Sequence, residues 1–174
     1  MAAGLVQAGG HFYGTTYNGG YGYLGTVFKI TSGGSFTTLH VFSGYGAFPY
    51  GGLVQGSDGN LYGTTSDNDN VGPTQYGTVF KITSGGSLTS LYSFNNSDGG
   101  IPYAGLVQGN DGNFYGTTAY GGASGYGTVF KITVPTNKVP TNKDQCKNGG
   151  WATFTNPRTF KNEGDCIQFV ETGK

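Results

Sequence analysis

Apolar and polar side chains alternate along most of the chain in short runs, and each run ends in a cluster of Gly, Ser, Asn or Asp. In Gly25-Thr-Val-Phe-Lys-Ile-Thr31, Thr26, Phe28 and Ile30 fall on one face of an extended strand and Val27, Lys29 and Thr31 on the other. Both faces are partly apolar, as suits a sheet sandwiched between two like sheets. Val, Ile, Phe, Tyr and Thr dominate these runs, and no stretch keeps a helical period, so this part of the chain is expected to be all-β.

The runs recur. GLVQ starts at Gly4, Gly52 and Gly105, YGTT at Tyr13, Tyr62 and Tyr115, and GTVFKIT at Gly25, Gly77 and Gly127, which defines a unit of about 50 residues. A fourth run, Phe36 to Phe42, returns as Leu88 to Phe94 and has no third copy. Gly56-Ser-Asp-Gly-Asn60 reads as the turn from the first strand to the second. Ser32-Gly-Gly-Ser35 and Ser84-Gly-Gly-Ser87 read as turns from the third to the fourth. Three copies of three strands and two of the fourth predict eleven strands, one short of three complete units.

Tandem four-stranded units of this size predict β-propeller blades. The alternative is a β-trefoil, in which three four-stranded units close within one chain. The string GLVQGSDGNLYGTT…YGTVFKITSGGSLTSLYSF resembles the GloVer tandem repeat of bacterial secreted and surface proteins, and the resemblance covers residues 4–133. It implies a propeller built from serial copies, with no assigned catalytic residues. The Asp-Gly-Asn-hydrophobic-Tyr step is also similar to the second strand of an NHL-type blade. A ring needs about four to eight blades, so three per chain lead us to expect a homodimer of six.

After Thr133 the pattern stops. Val134-Pro-Thr-Asn-Lys138 and its copy Val139-Pro-Thr-Asn-Lys143 form an expected extended linker over 134–143, followed by a small module over 144–174. Both cysteines, Cys146 and Cys166, lie there without metal-ligand spacing. That favours one disulfide over two buried thiols, and a bridge closing such a loop contributes roughly 3 kcal/mol. The module is expected to be β, with Cys166 to Val170 or Trp151 to Phe154 covering an open strand edge of the repeats. Oxidised cysteines place the chain at an extracellular or cell-surface location. The chain begins inside a repeat with no charged and apolar leader visible, so a fragment of a longer exported protein is expected, the alternative being a short chain exported by another route.

Composition sharpens this. With 35 Gly, 12 Phe, 13 Tyr and no net charge, the chain is too aromatic for disorder and lacks the three-residue glycine period of collagen. It has no Lys/Arg run for nucleic acid and no apolar run near the roughly 20 residues of a membrane helix. The only histidines, His11 and His40, stand where other copies carry Asn60 and Tyr92, and Asp58 and Asp111 are equivalent turn residues. These offer no acid, base or nucleophile set, so a non-enzyme is expected.

Two features remain as candidate sites. Asp67-Asn-Asp-Asn70 gathers oxygen ligands of the kind Ca²⁺ takes, with Asp67 and Asp69 as the carboxylates; a solvated loop is the alternative, and no other cofactor is expected. The loops holding Tyr17, Tyr21 and Tyr23 and holding Tyr120 and Tyr126 are rich in Tyr, Gly and Asn, which gives contact area at low entropy cost. Those rings either pack between blades or meet a glycan or other cell-surface component. Two functions follow: a non-catalytic extracellular scaffold, adhesion or binding module, or a carbohydrate-binding, lectin-like propeller.

Overall fold

A computed structural model describes residues 3–44, 46–67, 76–134, 143–147 and 161–172. The chain divides into two compact units, Met1–Thr133 and Val134–Lys174. In the first, the described residues form eleven strands in three antiparallel sheets. Sheet 1 holds β1 (Val6–Ala8), β2 (His11–Thr16), β3 (Thr26–Thr31) and β4 (Phe36–Val41) in that order. Sheet 2 holds β5 (Val54–Gln55), β6 (Leu61–Thr65), β7 (Thr78–Ile82) and β8 (Leu88–Ser93), and sheet 3 holds β9 (Val107–Gln108), β10 (Phe114–Thr117) and β11 (Val129–Ile132).

Every sheet is an antiparallel meander in which a tight turn joins the first strand to the second, and the third to the fourth where a fourth is present, while a longer loop joins the second to the third. Between β1 and β2 the turn is Gly9-Gly10, with φ of 55° and 78° at its two residues, the left-handed pair that a two-residue hairpin requires. The other two copies are one residue longer and use a carboxylate. Asp58 accepts the Asn60 backbone N–H at 3.1 Å, its side-chain amide at 2.7 Å and the Tyr62 hydroxyl at 2.8 Å. Asp111 repeats the set with Asn113 and Tyr115 at 3.1, 2.6 and 2.8 Å.

Register then builds the core. Gly14, Gly63 and Gly116 pair with Phe28, Phe80 and Phe130. A Cβ at any of the three would come within 3.0 Å of that ring and of Leu5, Leu53 or Leu106. The glycine of YGTT is thus the floor on which a Leu and a Phe side chain lie. Between sheets 1 and 2, Phe42 packs edge-on against Phe80 at 5.5 Å, and Thr15 Oγ1 donates to the Gly51 carbonyl at 3.2 Å. Between sheets 2 and 3, Phe94 meets Phe130 at 5.0 Å, Tyr62 stacks on Phe114 at 4.0 Å, and Thr64 Oγ1 donates to the Ala104 carbonyl at 3.1 Å.

These contacts correct the trefoil alternative. Among the described residues no strand of one sheet pairs with a strand of another, so no barrel closes. The sheets meet face to face instead.

The second unit is also a correction, because its described residues are helical where a β module was expected. A single 3-10 turn (Lys143–Cys146) and a helix, α1 (Glu163–Thr172), are joined by the Cys146–Cys166 disulfide, with Cα atoms 5.7 Å apart. Asn162 caps the helix by accepting the Asp165 N–H at 2.9 Å, and Glu163 and Asp165 place negative charge in its first turn, where the helix dipole favours it. Ile167, Phe169 and Val170 pack around the buried disulfide, and Lys143 pairs with Glu171 at 2.5 Å. Cys166 to Val170 is therefore helix and has no free strand edge to pair. Trp151 to Phe154 and most of the 134–143 linker lie outside the described residues.

Candidate loop site at one end of the sheets

Alternation of strand direction sends the loop after each second strand and the connector after each fourth strand to the same end of the sheets. The β2–β3 loop and the β10–β11 loop have one backbone frame. Gly25 N–H donates to the Gly19 carbonyl at 2.9 Å and Tyr23 N–H to Gly20 at 3.3 Å; Gly127 donates to Gly121 at 3.0 Å and Gly125 to Gly122 at 3.0 Å. Both loops close on paired threonines, Thr16 with Thr26 and Thr118 with Thr128.

Within that shared frame one residue stands out. Gly125 has φ of 76°, and its counterpart Tyr23 takes φ of 58°. The left-handed region costs a residue with a Cβ about 1–2 kcal/mol, and burial does not offset it, since Tyr23 is 76% exposed. Tyr21 is 97% exposed, and Gly20, Tyr21, Gly22 and Tyr23 line a cleft of about 480 Å³. Tyr120 and Tyr126 are exposed on the loop of sheet 3. The structure separates Tyr17 from this group: its ring packs against Phe48 at 5.1 Å and Tyr50 at 4.9 Å.

The ring of Tyr50 in turn meets Tyr103 at 5.0 Å. These residues belong to a repeated connector, Phe48-Pro-Tyr50 and Ile101-Pro-Tyr103, that sequence reasoning missed; its signal was a Pro-Tyr step two residues before each later GLVQ. Phe48 and Ile101 take φ of 60° and 55°, and each donates its N–H to the preceding unit, to Leu24 at 2.8 Å and to Tyr76 at 2.7 Å. Pro49 and Pro102 then lie against Gly25 and Gly77, where no Cβ would fit.

Asp67 is part of this scaffold. Its buried carboxylate accepts the N–H groups of Gly46 at 3.0 Å and Ala47 at 2.6 Å. Burial pushes its titration up and these two bonds push it back, leaving it raised. Asp69, the other calcium candidate, lies outside the described residues. Among the described residues no three His, Cys, Asp or Glu side chains converge. His11 is the first residue of β2. His40 lies on β4 beside a wedge of about 360 Å³ between sheets 1 and 2, shared with Phe42, Ser90 and Ser93, and burial lowers its titration.

Three Gly-rich meanders carried in tandem define an all-β repeat protein. The chain belongs to the Gloeobacter/Verrucomicrobia repeat family, whose profile matches residues 1–159. None of the curated proteins matches it. Among solved structures, a crystal structure provisionally described as a gluconolactonase is 17% identical, covers 74% of this chain and 48% of its own, and superposes with a TM-score of 0.44. The present chain therefore spans about half the length of that protein.

Proposed function

We propose that the chain is a non-catalytic extracellular binding module of β-propeller build, whose three stacked sheets hold the tyrosine-bearing loops as a contact surface. One observation carries the reading. Tyr23 holds a left-handed backbone that its counterpart fills with Gly125, and its ring stays 76% exposed. Strained backbone of this kind clusters at binding and switch sites, and at Tyr23, unlike Phe48 and Ile101, no burial of the side chain accompanies it. The Cys146–Cys166 disulfide supports an oxidising location, and no described helix is long and apolar enough to cross a membrane.

A second reading names the ligand as carbohydrate. Exposed Tyr21 and Tyr23 rings beside a cleft offer flat apolar faces with hydroxyl edges, the surface on which a sugar ring stacks. A glycan array probed with the wild-type chain and with Tyr21→Ala/Tyr23→Gly tests both readings. Binding that falls at least tenfold in the variant supports the module and its carbohydrate ligand. Absence of any bound glycan removes the carbohydrate reading, and glycan binding that the variant leaves intact removes the loop surface.

A further inference from the structure

Each sheet carries two different faces. One presents the Leu of GLVQ and the Phe of GTVF, seated on the YGTT glycine; the other presents the YGTT tyrosine, the threonine two residues on and the Val of GTVF. Opposite faces meet wherever two sheets stack. Between sheets 1 and 2 and again between sheets 2 and 3, the Tyr/Thr/Val face of one lies on the Leu/Phe face of the next, and Thr15 and Thr64 donate across to Gly51 and Ala104.

At the two ends the pattern is interrupted. Val27 and Val79 are 0% exposed, whereas their counterpart Val129 is 79% exposed. Tyr13 and Tyr62 are buried and Tyr115 is not; Thr15 and Thr64 are buried and Thr117 is exposed. At the other end Leu53 and Leu106 are buried, whereas Leu5 is 56% exposed. Sheet 3 therefore ends on an uncovered Tyr/Thr/Val face and sheet 1 on an uncovered Leu/Phe face.

We propose that a second copy of this chain covers both, with sheet 3 of each protomer packed on sheet 1 of its partner about a two-fold axis, so that six sheets close a ring. The occupant follows from the surfaces, because the two uncovered faces are the same pair that already meets twice inside one chain. The internal bonds specify the new ones. Thr117 Oγ1 donates to the partner's Ala3 carbonyl, as Thr15 does to Gly51 and Thr64 to Ala104. The Asn110 N–H donates to the partner's Gln7, as the Ser57 N–H does to the Gln108 side chain at 3.1 Å. Such head-to-tail contacts either close or grow into filaments, and six sheets fall within the about four to eight that close. Closure also removes both apolar end faces from water, which a soluble single copy leaves exposed.

Size exclusion with light scattering tests this on the wild-type chain, on Val129→Glu and on Leu5→Glu. Both residues are exposed in a single copy, so each variant is expected to keep its far-ultraviolet circular dichroism. The expected result is a mass twice 18.1 kDa for wild type and 18.1 kDa for each variant. A wild-type mass of 18.1 kDa at every loading concentration, a mass that grows without limit, or a doubled mass that survives both substitutions overturns the proposal.

Discussion

Asp58 ties its turn to the sheet through one side chain. Desolvation raises its titration, and the hydrogen bonds from the Asn60 side chain, the Tyr62 hydroxyl and the Asn60 N–H, with the charge of Lys81, outweigh that and leave it lowered. An acid that titrates lower when folded contributes its full stability above the unfolded value and loses it as pH falls through the folded one. Asp58→Asn keeps one acceptor oxygen and loses the charge, so at neutral pH it should destabilise by about 1 kcal/mol or less, since the site is exposed and screened. Urea denaturation of both proteins between neutral pH and strong acid should show the gap closing at the acid end; a gap independent of pH contradicts the role given to the carboxylate. The turn itself was legible in Asp-Gly-Asn, because that chemistry is local. The tyrosine four residues on was not, because its hydroxyl reaches Asp58 only once β5 and β6 are paired.

Among elements, the strands were legible because each apolar run is short and punctuated by turn residues, which leaves one register per meander. The reason for the glycine in YGTT was hidden. It depends on the cross-strand partner, Phe28, Phe80 or Phe130, which sequence order does not reveal. This seat predicts an asymmetry between copies. Gly63→Ala drives a methyl into Phe80 and Leu53, both buried and unable to yield, and should cost about 1–3 kcal/mol. In the monomeric Val129→Glu background, where no partner covers sheet 1, Gly14→Ala meets Phe28 and the exposed Leu5, which can move, and should cost less than Gly63→Ala. Chemical denaturation of the two variants checks this, and equal losses contradict it. The helix of the second unit was misread for a related reason. Cys166 to Val170 is made of strand-favouring side chains, and the cap that overrides them, Asn162 three residues before Asp165, was the signal passed over.

Within the repeat unit the three sheets pack face to face, and the loop after each second strand lies at the same end as the connectors between sheets. Of the candidate loop site, the tyrosines were legible as an unusual concentration of aromatic residues among glycines. Their division into packed Tyr17 and solvent-facing Tyr21 and Tyr23 was not, since Phe48 and Tyr50 come from a distant connector. On the proposed function, this end of the repeat unit serves contact rather than folding, and Tyr23→Gly separates the two. All 13 tyrosines precede Thr133 and the single Trp follows it, so tyrosine emission during urea denaturation reports the repeat unit. If Tyr23 serves binding, replacing it with the residue its counterpart uses should leave stability unchanged or raise it by up to about 1 kcal/mol. A loss of more than about 1 kcal/mol would mean that the exposed ring holds the fold together and is not kept for a ligand.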